Sequence, residues 1–153
     1  MEKYFKLTNE TVVNIFDVTL FRIELTIDCK WGKAGEKGGF IEKEINLYGN
    51  AWVYGNAQVY GNARVYGNAW VYGDAWVSGG AWEKSPLQIQ GTKHFINMSS
   101  KTTLQIGCKS FEIKVWIENF KSIGLEQGYT EEQINEYELY INLANKLYGN
   151  NHN

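Results

Sequence analysis

The sequence has little of what several classes of protein require. It holds two cysteines and two histidines in 153 residues, which are too few for a disulfide framework or for a spaced set of metal ligands. Fifteen basic side chains against seventeen acidic ones leave a formal net charge of -2. That balance provides no positive field to attract nucleic acid or an anionic membrane. We therefore expect no metal, no cofactor and no direct contact with nucleic acid.

Long apolar runs are missing as well. Nowhere do eighteen apolar residues follow one another, as a membrane-spanning helix requires. The first ten residues, MEKYFKLTNE, contain no apolar core of a secretion signal. We therefore expect a cytoplasmic protein without membrane contact, in which Cys29 and Cys108 stay reduced and pack as small side chains.

The most regular feature is a six-residue repeat between Tyr48 and Val77, YGNAWVYGNAQVYGNARVYGNAWVYGDAWV. Six is not a helical period, because positions six apart on an α-helix are rotated by about 600°. The letters A-W-V-Y instead alternate small or branched residues with aromatic ones, as on a strand with one buried face. Glycine and asparagine then supply a turn, since both tolerate positive φ. Each repeat is predicted to form one short strand and one corner.

A unit this small buries almost no surface alone, so successive units must wind into a solenoid and share backbone hydrogen bonds. Alanine at every second inward position implies a narrow interior. The predicted lining consists of the repeated valines and alanines, which are Val53, Val59, Val65, Val71, Val77, Ala51, Ala57, Ala63, Ala69, Ala75 and Ala81.

After the repeats the apolar period changes to that of helices. Trp116, Phe120 and Ile123 are spaced like one helix face, and Thr130 with Gln133 has the form of a capping box that opens a second helix. The apolar stripe of this second helix is Ile134, Tyr137, Ile141, Ala144 and Tyr148. The helical hairpin is expected to cover the open end of the solenoid, where strand edges lack partners.

The repeat V-Y-G-N-A-x resembles that of the hexapeptide-repeat proteins, which form left-handed parallel β-helices with three hexads per coil. GEKGGFIEKEINLYGNAWVYGNA, where the repeats begin, and WIENFKSIGLEQGYTEEQINEY, which follows them, resemble segments of phage and prophage members of that family. The resulting fold prediction is mainly β, with a short left-handed parallel β-helix, N-terminal strands and a C-terminal α-helical hairpin cap. The N-terminal strands, such as LFRIELTID, are expected to close or pair with the other end of the β-helix, opposite the helical hairpin. The predicted regions are 1–40, 41–108 and 109–153.

Three hexads per coil would place residues eighteen apart one above the other, at about 4.8 Å. The outward side chains then fall on three faces. These are Trp52 and Tyr54 with Trp70 and Tyr72, then Gln58 and Tyr60 with Trp76 and Ser78, and finally Arg64 and Tyr66 with Trp82 and Lys84. The first face is wholly aromatic.

An aromatic face of this kind would expose apolar surface on the order of several hundred Å², near the limit for a soluble monomer. We expect a second copy to cover it in a homo-oligomer, either a trimer or a dimer. A foreign partner or the protein's own termini are the alternatives. Arg64 beside Tyr60, Tyr66 and Trp82 could hold a phosphate or carboxylate while the rings stack on a base. The alternative for Arg64 is a solvated side chain.

The resemblance also raises the question of catalysis. Many left-handed β-helix proteins are acyltransferases that bind acyl-coenzyme A between coils and use a histidine as general base. His94 has no acidic partner nearby in sequence, His152 lies in the polar tail GNNHN, and the repeats lack the loop that covers the acyl donor. Because a fold alone does not confer chemistry, we expect no enzymatic activity. An acyltransferase that uses His94 and a structural or assembly protein are the alternatives.

The leading hypothesis is a non-catalytic oligomeric binding protein. The phage resemblance implies that it inhibits a bacterial antiviral defence system in the host cytoplasm. It would cover a defence protein such as a CRISPR effector, or sequester a small nucleotide signal. The candidate binding residues are Trp52, Tyr54, Tyr60, Arg64, Tyr66, Trp70, Tyr72, Trp76 and Trp82.

Overall fold

The computed structural model describes residues 3–149. The chain divides into two compact units, residues 1–86 and 87–153. The described part is mainly β, with many short strands followed by two C-terminal helices, so the coarse fold prediction is confirmed. Neither of these two helices combines the length and the apolar content needed to cross a membrane.

The first unit begins with an antiparallel three-stranded arrangement, β1 (Phe5–Val13), β2 (Thr19–Leu25) and β3 (Lys37–Ile41). Strand β2 lies between the other two and pairs with both. Its side chains Leu20, Ile23 and Leu25 are buried. The N-terminal strands therefore bring an apolar face of their own to the first unit.

The repeats form a series of two-residue strands, one for each unit of six. These are β4 (Trp52–Val53), β5 (Gln58–Val59), β6 (Arg64–Val65), β7 (Trp70–Val71), β8 (Trp76–Val77) and β9 (Ala81–Trp82). Strands three units apart pair in parallel, with Trp52 opposite Trp70 and Gln58 opposite Trp76. The predicted register of eighteen residues is present in both pairs.

The predicted lining of the repeats is confirmed for all members but one. The five valines and the alanines from Ala51 to Ala75 have no solvent exposure. Backbone groups of stacked repeats are paired across the same positions, as when the amide of Trp52 donates to the carbonyl of Ala69 at 3.1 Å. Burial of the side chains is thus possible without leaving backbone groups unpaired.

Strand β3 connects the N-terminal strands to the repeats. It pairs in parallel with β5, with Phe40 opposite Gln58, and gives a five-stranded sheet in the order β1-β2-β3-β5-β8. Strand β3 approaches β4 so closely that residue 38 has no room for a side chain. A Cβ atom on Gly38 would lie 2.6 Å from both the Trp52 ring and the Val53 carbonyl oxygen. The N-terminal strands thus pair with the repeats, and the strand they pair with is β5.

The last repeat departs from the predicted register. The pattern places Trp82 outward above Arg64 and Ala81 inward, but in the structure Val65 pairs with Trp82 and Arg64 with Ala81. Trp82 is 2% exposed, and Ala81 is exposed. Both predicted placements are therefore wrong. The physical reason is that an unshifted register would put Glu83 in the apolar interior, and a shift of one residue exchanges the two faces of a strand.

The second unit begins with a four-stranded antiparallel sheet of β10 (Gln88–Gln90), β11 (Phe95–Met98), β12 (Thr103–Ile106) and β13 (Lys109–Glu112). The prediction extends the parallel repeats to residue 108, whereas these strands pair antiparallel with their sequence neighbours. Only Gly107, with φ of 61°, and Cys108 separate β12 from β13. A two-residue connection of this kind joins antiparallel strands, because parallel neighbours need a longer crossover.

Two helices complete the second unit, α1 (Ile113–Glu126) and α2 (Glu131–Tyr148). The predicted capping box opens α2, since the amide of Gln133 donates to Thr130 Oγ1 at 3.1 Å and the amide of Thr130 donates to Gln133 Oε1 at 2.9 Å. The apolar side of α2 buries Ile134, Tyr137, Ile141 and Ala144. The two helices are confirmed, and their role as a cap stays a prediction.

Substitution of Trp82 tests the shifted register. We expect Trp82→Ala to lower the free energy of unfolding by about 3–5 kcal/mol, because a packed indole is lost from the interior. Glu83→Ala, at an exposed position, should change it by less than about 0.5 kcal/mol. Urea denaturation followed by circular dichroism measures both. A costly Glu83→Ala beside a neutral Trp82→Ala would contradict the register.

Candidate functional site

The first predicted face is half covered by the chain itself. Trp52 and Trp70 are paired neighbours, yet Trp52 is 1% exposed and Trp70 is 44% exposed. The rings of Tyr4 and Phe5 lie 6.1 and 6.5 Å from that of Trp52. The Tyr4 hydroxyl also donates to the Ala51 carbonyl at 2.6 Å. Tyr4 and the first residue of β1, Phe5, therefore cover Trp52, so cover by the protein's own terminus accounts for this half of the face.

The side chains of the second predicted face are largely buried against the N-terminal strands. Tyr60 is 7% exposed and packs with Leu20 and Phe40 of the N-terminal strands. The ring of Phe16, which lies between β1 and β2, is 6.4 Å from that of Tyr60 and 6.2 Å from that of Trp76. Trp76 is half-buried. This face contributes to stability and offers little free surface.

The third predicted face is not assembled as expected. Tyr66 is half-buried and stacks on Tyr48, with ring centroids 5.1 Å apart and planes at 4°. Trp82, which should complete the face above Arg64, is buried by the register shift. Arg64 is exposed, and its guanidinium has no ion pair or hydrogen bond with another residue of the described chain. Its predicted setting between Tyr60, Tyr66 and Trp82 is therefore absent.

Four aromatic rings remain together at the surface, and we call Trp31, Tyr54, Trp70 and Tyr72 the Trp70 cluster. The ring of Trp70 lies 5.9 Å from that of Trp31 in a stacked arrangement. It lies 5.7 Å from the ring of Tyr54 and 5.5 Å from the ring of Tyr72. Three of these residues were predicted to share a face, and Trp31 is an addition from outside the repeats.

The position of Trp31 is fixed by contacts to the repeats. Its indole N–H donates to the Asn50 carbonyl at 2.7 Å. The neighbouring Lys30 donates from Nζ to Asn68 Oδ1 at 2.9 Å, and the same ammonium lies 4.7 Å from the centroid of the Trp31 ring. The backbones of Cys29 and Gly32 pair as an isolated antiparallel β-bridge, which closes the turn that carries Lys30 and Trp31. Contacts within the chain thus hold Trp31 in the Trp70 cluster.

The Trp70 cluster presents aromatic rings and, beside them, one cation. Burial, with a smaller contribution from Cys29, raises the pKa of the Tyr54 hydroxyl, so this phenol is neutral at physiological pH. The ammonium of Lys30 adds one positive charge at the side of the cluster. Aromatic faces and a cation bind planar or apolar groups and tolerate an anion. They do not supply the paired acid and base that proton transfer requires.

His94, considered above for catalysis, lies in the second unit, away in sequence from the repeats. Its Nδ1 is 2.7 Å from the Tyr129 hydroxyl. Burial, and to a smaller extent the charge of Lys93, lowers its pKa. Among residues 3–149 its ring forms no hydrogen bond or ion pair with a carboxylate, and His152 lies outside the described residues. In the part of the chain that the structure describes, no three His, Cys, Asp or Glu side chains form a group that could hold a metal ion.

A family model described as the YdcK beta solenoid repeat matches residues 57–73. The matched segment contains β5, β6 and β7, so the match supports a β-solenoid type of repeat where the parallel pairing is observed. The comparisons with curated proteins and with solved structures gave no match.

Trp52 and Trp70, which pair across β4 and β7, provide a test of the site. We expect Trp52→Ala to lower the free energy of unfolding by about 3–5 kcal/mol, because Trp52 is packed beneath β1. Trp70→Ala should cost only about 1 kcal/mol, the value of its ring contacts at the surface. Chemical denaturation of both variants measures the difference. Equal losses would show that the chain covers both rings alike.

Proposed function

We propose that the protein is a non-catalytic binding protein that holds its partner through the Trp70 cluster. The observation that carries the proposal is the 44% exposure of Trp70 within a group of four rings, whereas Trp52, Tyr60 and Trp82 are buried. The same chain buries Trp52 and Tyr60 with its own N-terminal strands. It leaves much of the Trp70 side chain exposed, although Trp70 lies opposite Trp52 in the same pair of strands.

The geometry of the Trp70 cluster suits a binding role. Tryptophan and tyrosine are the residues that most often dominate the energy of protein interfaces. Rings that are already packed against one another lose little conformational freedom when a partner arrives. The stacking of Trp31 on Trp70 and the hydrogen bond from Trp31 to Asn50 meet this condition.

A second copy of the chain is the first partner that we propose. The repeats would wind as a left-handed parallel β-helix, as in the hexapeptide-repeat proteins that the sequence resembles. Those proteins commonly associate as trimers. A self-complementary apolar patch is what a symmetric homo-oligomer requires, and we assign that role to the Trp70 cluster on the outer side of β7.

The biological role that we propose is inhibition of a bacterial defence system, on the basis of the resemblance to phage proteins. The target would be a defence protein, with a nucleotide signal as the second candidate. The observation that favours a nucleotide is the ammonium of Lys30 beside the Trp31 ring. A base could stack on the exposed ring of Trp70 while a phosphate meets this charge.

Trp70→Asp tests self-association. We expect it to convert an oligomer into a monomer, because a charge would be buried in the apolar contact. Leu139→Asp is the matched control, since Leu139 is 68% exposed on α2 and undergoes the same change from apolar to acidic. Light scattering coupled to size exclusion measures the mass of each variant. An oligomer that Leu139→Asp dissociates and Trp70→Asp does not would place the interface on α2.

If the wild-type protein is a monomer, Trp70→Asp tests whether the Trp70 cluster binds a nucleotide. Thermal shift measurements with a panel of cyclic nucleotides should then show a rise in the melting temperature of the wild type and none for Trp70→Asp. A rise that Trp70→Asp preserves would remove the Trp70 cluster from the nucleotide site.

A further inference from the structure

The second unit contains a pocket between its antiparallel sheet and its two helices. The cavity has a volume of about 40 Å³ and is partly open to solvent. At about 10–15 Å³ for each water molecule, it has room for roughly three waters or for a short hydrocarbon chain. The deep walls are apolar and consist of Ile106, Trp116, Phe120, Ile123, Ile134 and Ile141.

Several polar side chains also line this pocket, namely His94, Cys108, Lys109, Gln127 and Tyr129. Hydrogen bonding fixes two of them, because Nδ1 of His94 lies 2.7 Å from the Tyr129 hydroxyl. Two contacts to Tyr137 hold the backbone of His94, whose amide donates to the Tyr137 hydroxyl while its carbonyl accepts from it, each at 2.6 Å. The imidazole is therefore oriented by the fold.

The positive charges near the pocket are not neutralised by the described chain. Lys109 lines the cavity and is exposed, and Lys93 places its Nζ 5.4 Å from the centroid of the Tyr129 ring. Neither ammonium forms an ion pair within residues 3–149. Apolar walls together with unpaired cations favour a ligand that has a hydrocarbon part and one negative charge.

One carboxylate near the pocket, that of Glu136, is a candidate counter-ion for Lys109. Glu136 contributes, after burial and Tyr137, to the raised pKa of the Tyr129 hydroxyl. Its carboxylate accepts hydrogen bonds from the Thr92 amide at 3.0 Å and from the Tyr140 hydroxyl at 2.6 Å. It does not line the cavity. Glu136 is therefore occupied by its own donors and leaves the charge of Lys109 available.

We propose that this pocket binds a short-chain carboxylate, with the hydrocarbon chain between α1 and α2 and the carboxylate beside Lys109 and His94. A charged group costs too much free energy inside an apolar cavity unless it is paired, so the carboxylate stays with the polar residues. The small cavity limits the hydrocarbon chain to a few carbon atoms. The inference uses no residue of the Trp70 cluster and does not depend on the function proposed for the repeats.

Nuclear magnetic resonance titration of the full-length ¹⁵N-labelled protein tests the proposal. Butyrate is the probe, with butanol and butylamine as neutral and cationic molecules of similar size, all at matched ionic strength. We expect saturable shifts of the Trp116 indole N–H signal, which is resolved from backbone amides and donates to the Leu104 carbonyl in the structure. Butanol should bind several-fold more weakly than butyrate, and butylamine should produce no saturable shift.

Two substitutions with a matched control complete the test. Lys109→Gln should weaken butyrate binding about tenfold, the usual loss when a charged hydrogen-bond partner is removed, and leave butanol binding unchanged. Lys114→Gln, on an exposed lysine that does not line the cavity, should have no effect. Ile123→Trp should fill the cavity and abolish binding of both molecules.

The proposal is overturned if the pocket signals show no saturable shift with butyrate. It is also overturned if butyrate and butanol bind equally and Lys109→Gln leaves both affinities unchanged, because the pocket would then select apolar volume alone. Lys109 is exposed, so its substitution tests the role of the charge even if Ile123→Trp fails to fold.

Discussion

The structure of the first unit depends on parallel backbone pairing between residues eighteen apart. A two-residue strand has almost no stability alone, and its partners come from the repeat three units along, as with Trp52 and Trp70. The pairing places valine on valine and alanine on alanine, and these side chains form a narrow interior with no solvent exposure. It also places Trp52 opposite Trp70 and stacks Tyr48 on Tyr66, with ring planes at 4°. The interior and the outer faces are thus two consequences of one register.

The N-terminal strands decide which of those rings remain available. A stack of short strands leaves unpaired backbone groups at its edge, and β3 satisfies them by pairing with β5. The strands that follow β3 across the sheet carry Tyr4 and Phe5 onto Trp52 and bring Leu20 against Tyr60. The same N-terminal strands therefore pair with the edge of the repeats and bury the rings of Trp52 and Tyr60. What remains exposed is the ring of Trp70, backed by Trp31, and this selection supports a binding role for that cluster.

Local and periodic features of the fold were predictable from the sequence, whereas features that depend on distant segments were not. The alternation within each repeat predicted the valine and alanine lining, and Thr130 with Gln133 predicted the start of α2. No local pattern connects Trp31 with Trp70, because the contact depends on where a turn between β2 and β3 falls on the repeats. The shift at Trp82 did leave a signal, since the next valine position is occupied by Glu83. The pocket of the second unit combines side chains from β12, α1 and α2 and has no counterpart in the sequence pattern.

The central claim is the register of the repeats, and nuclear Overhauser effects between backbone protons measure it most directly. The account predicts cross-peaks that connect the strand of Trp52 with that of Trp70 and the strand of Gln58 with that of Trp76. It also predicts that Trp82 contacts the strand at Val65 and that its indole protons contact valine methyl groups. Cross-peaks that connect repeats two or four units apart, or indole protons of Trp82 that contact only solvent, would contradict it.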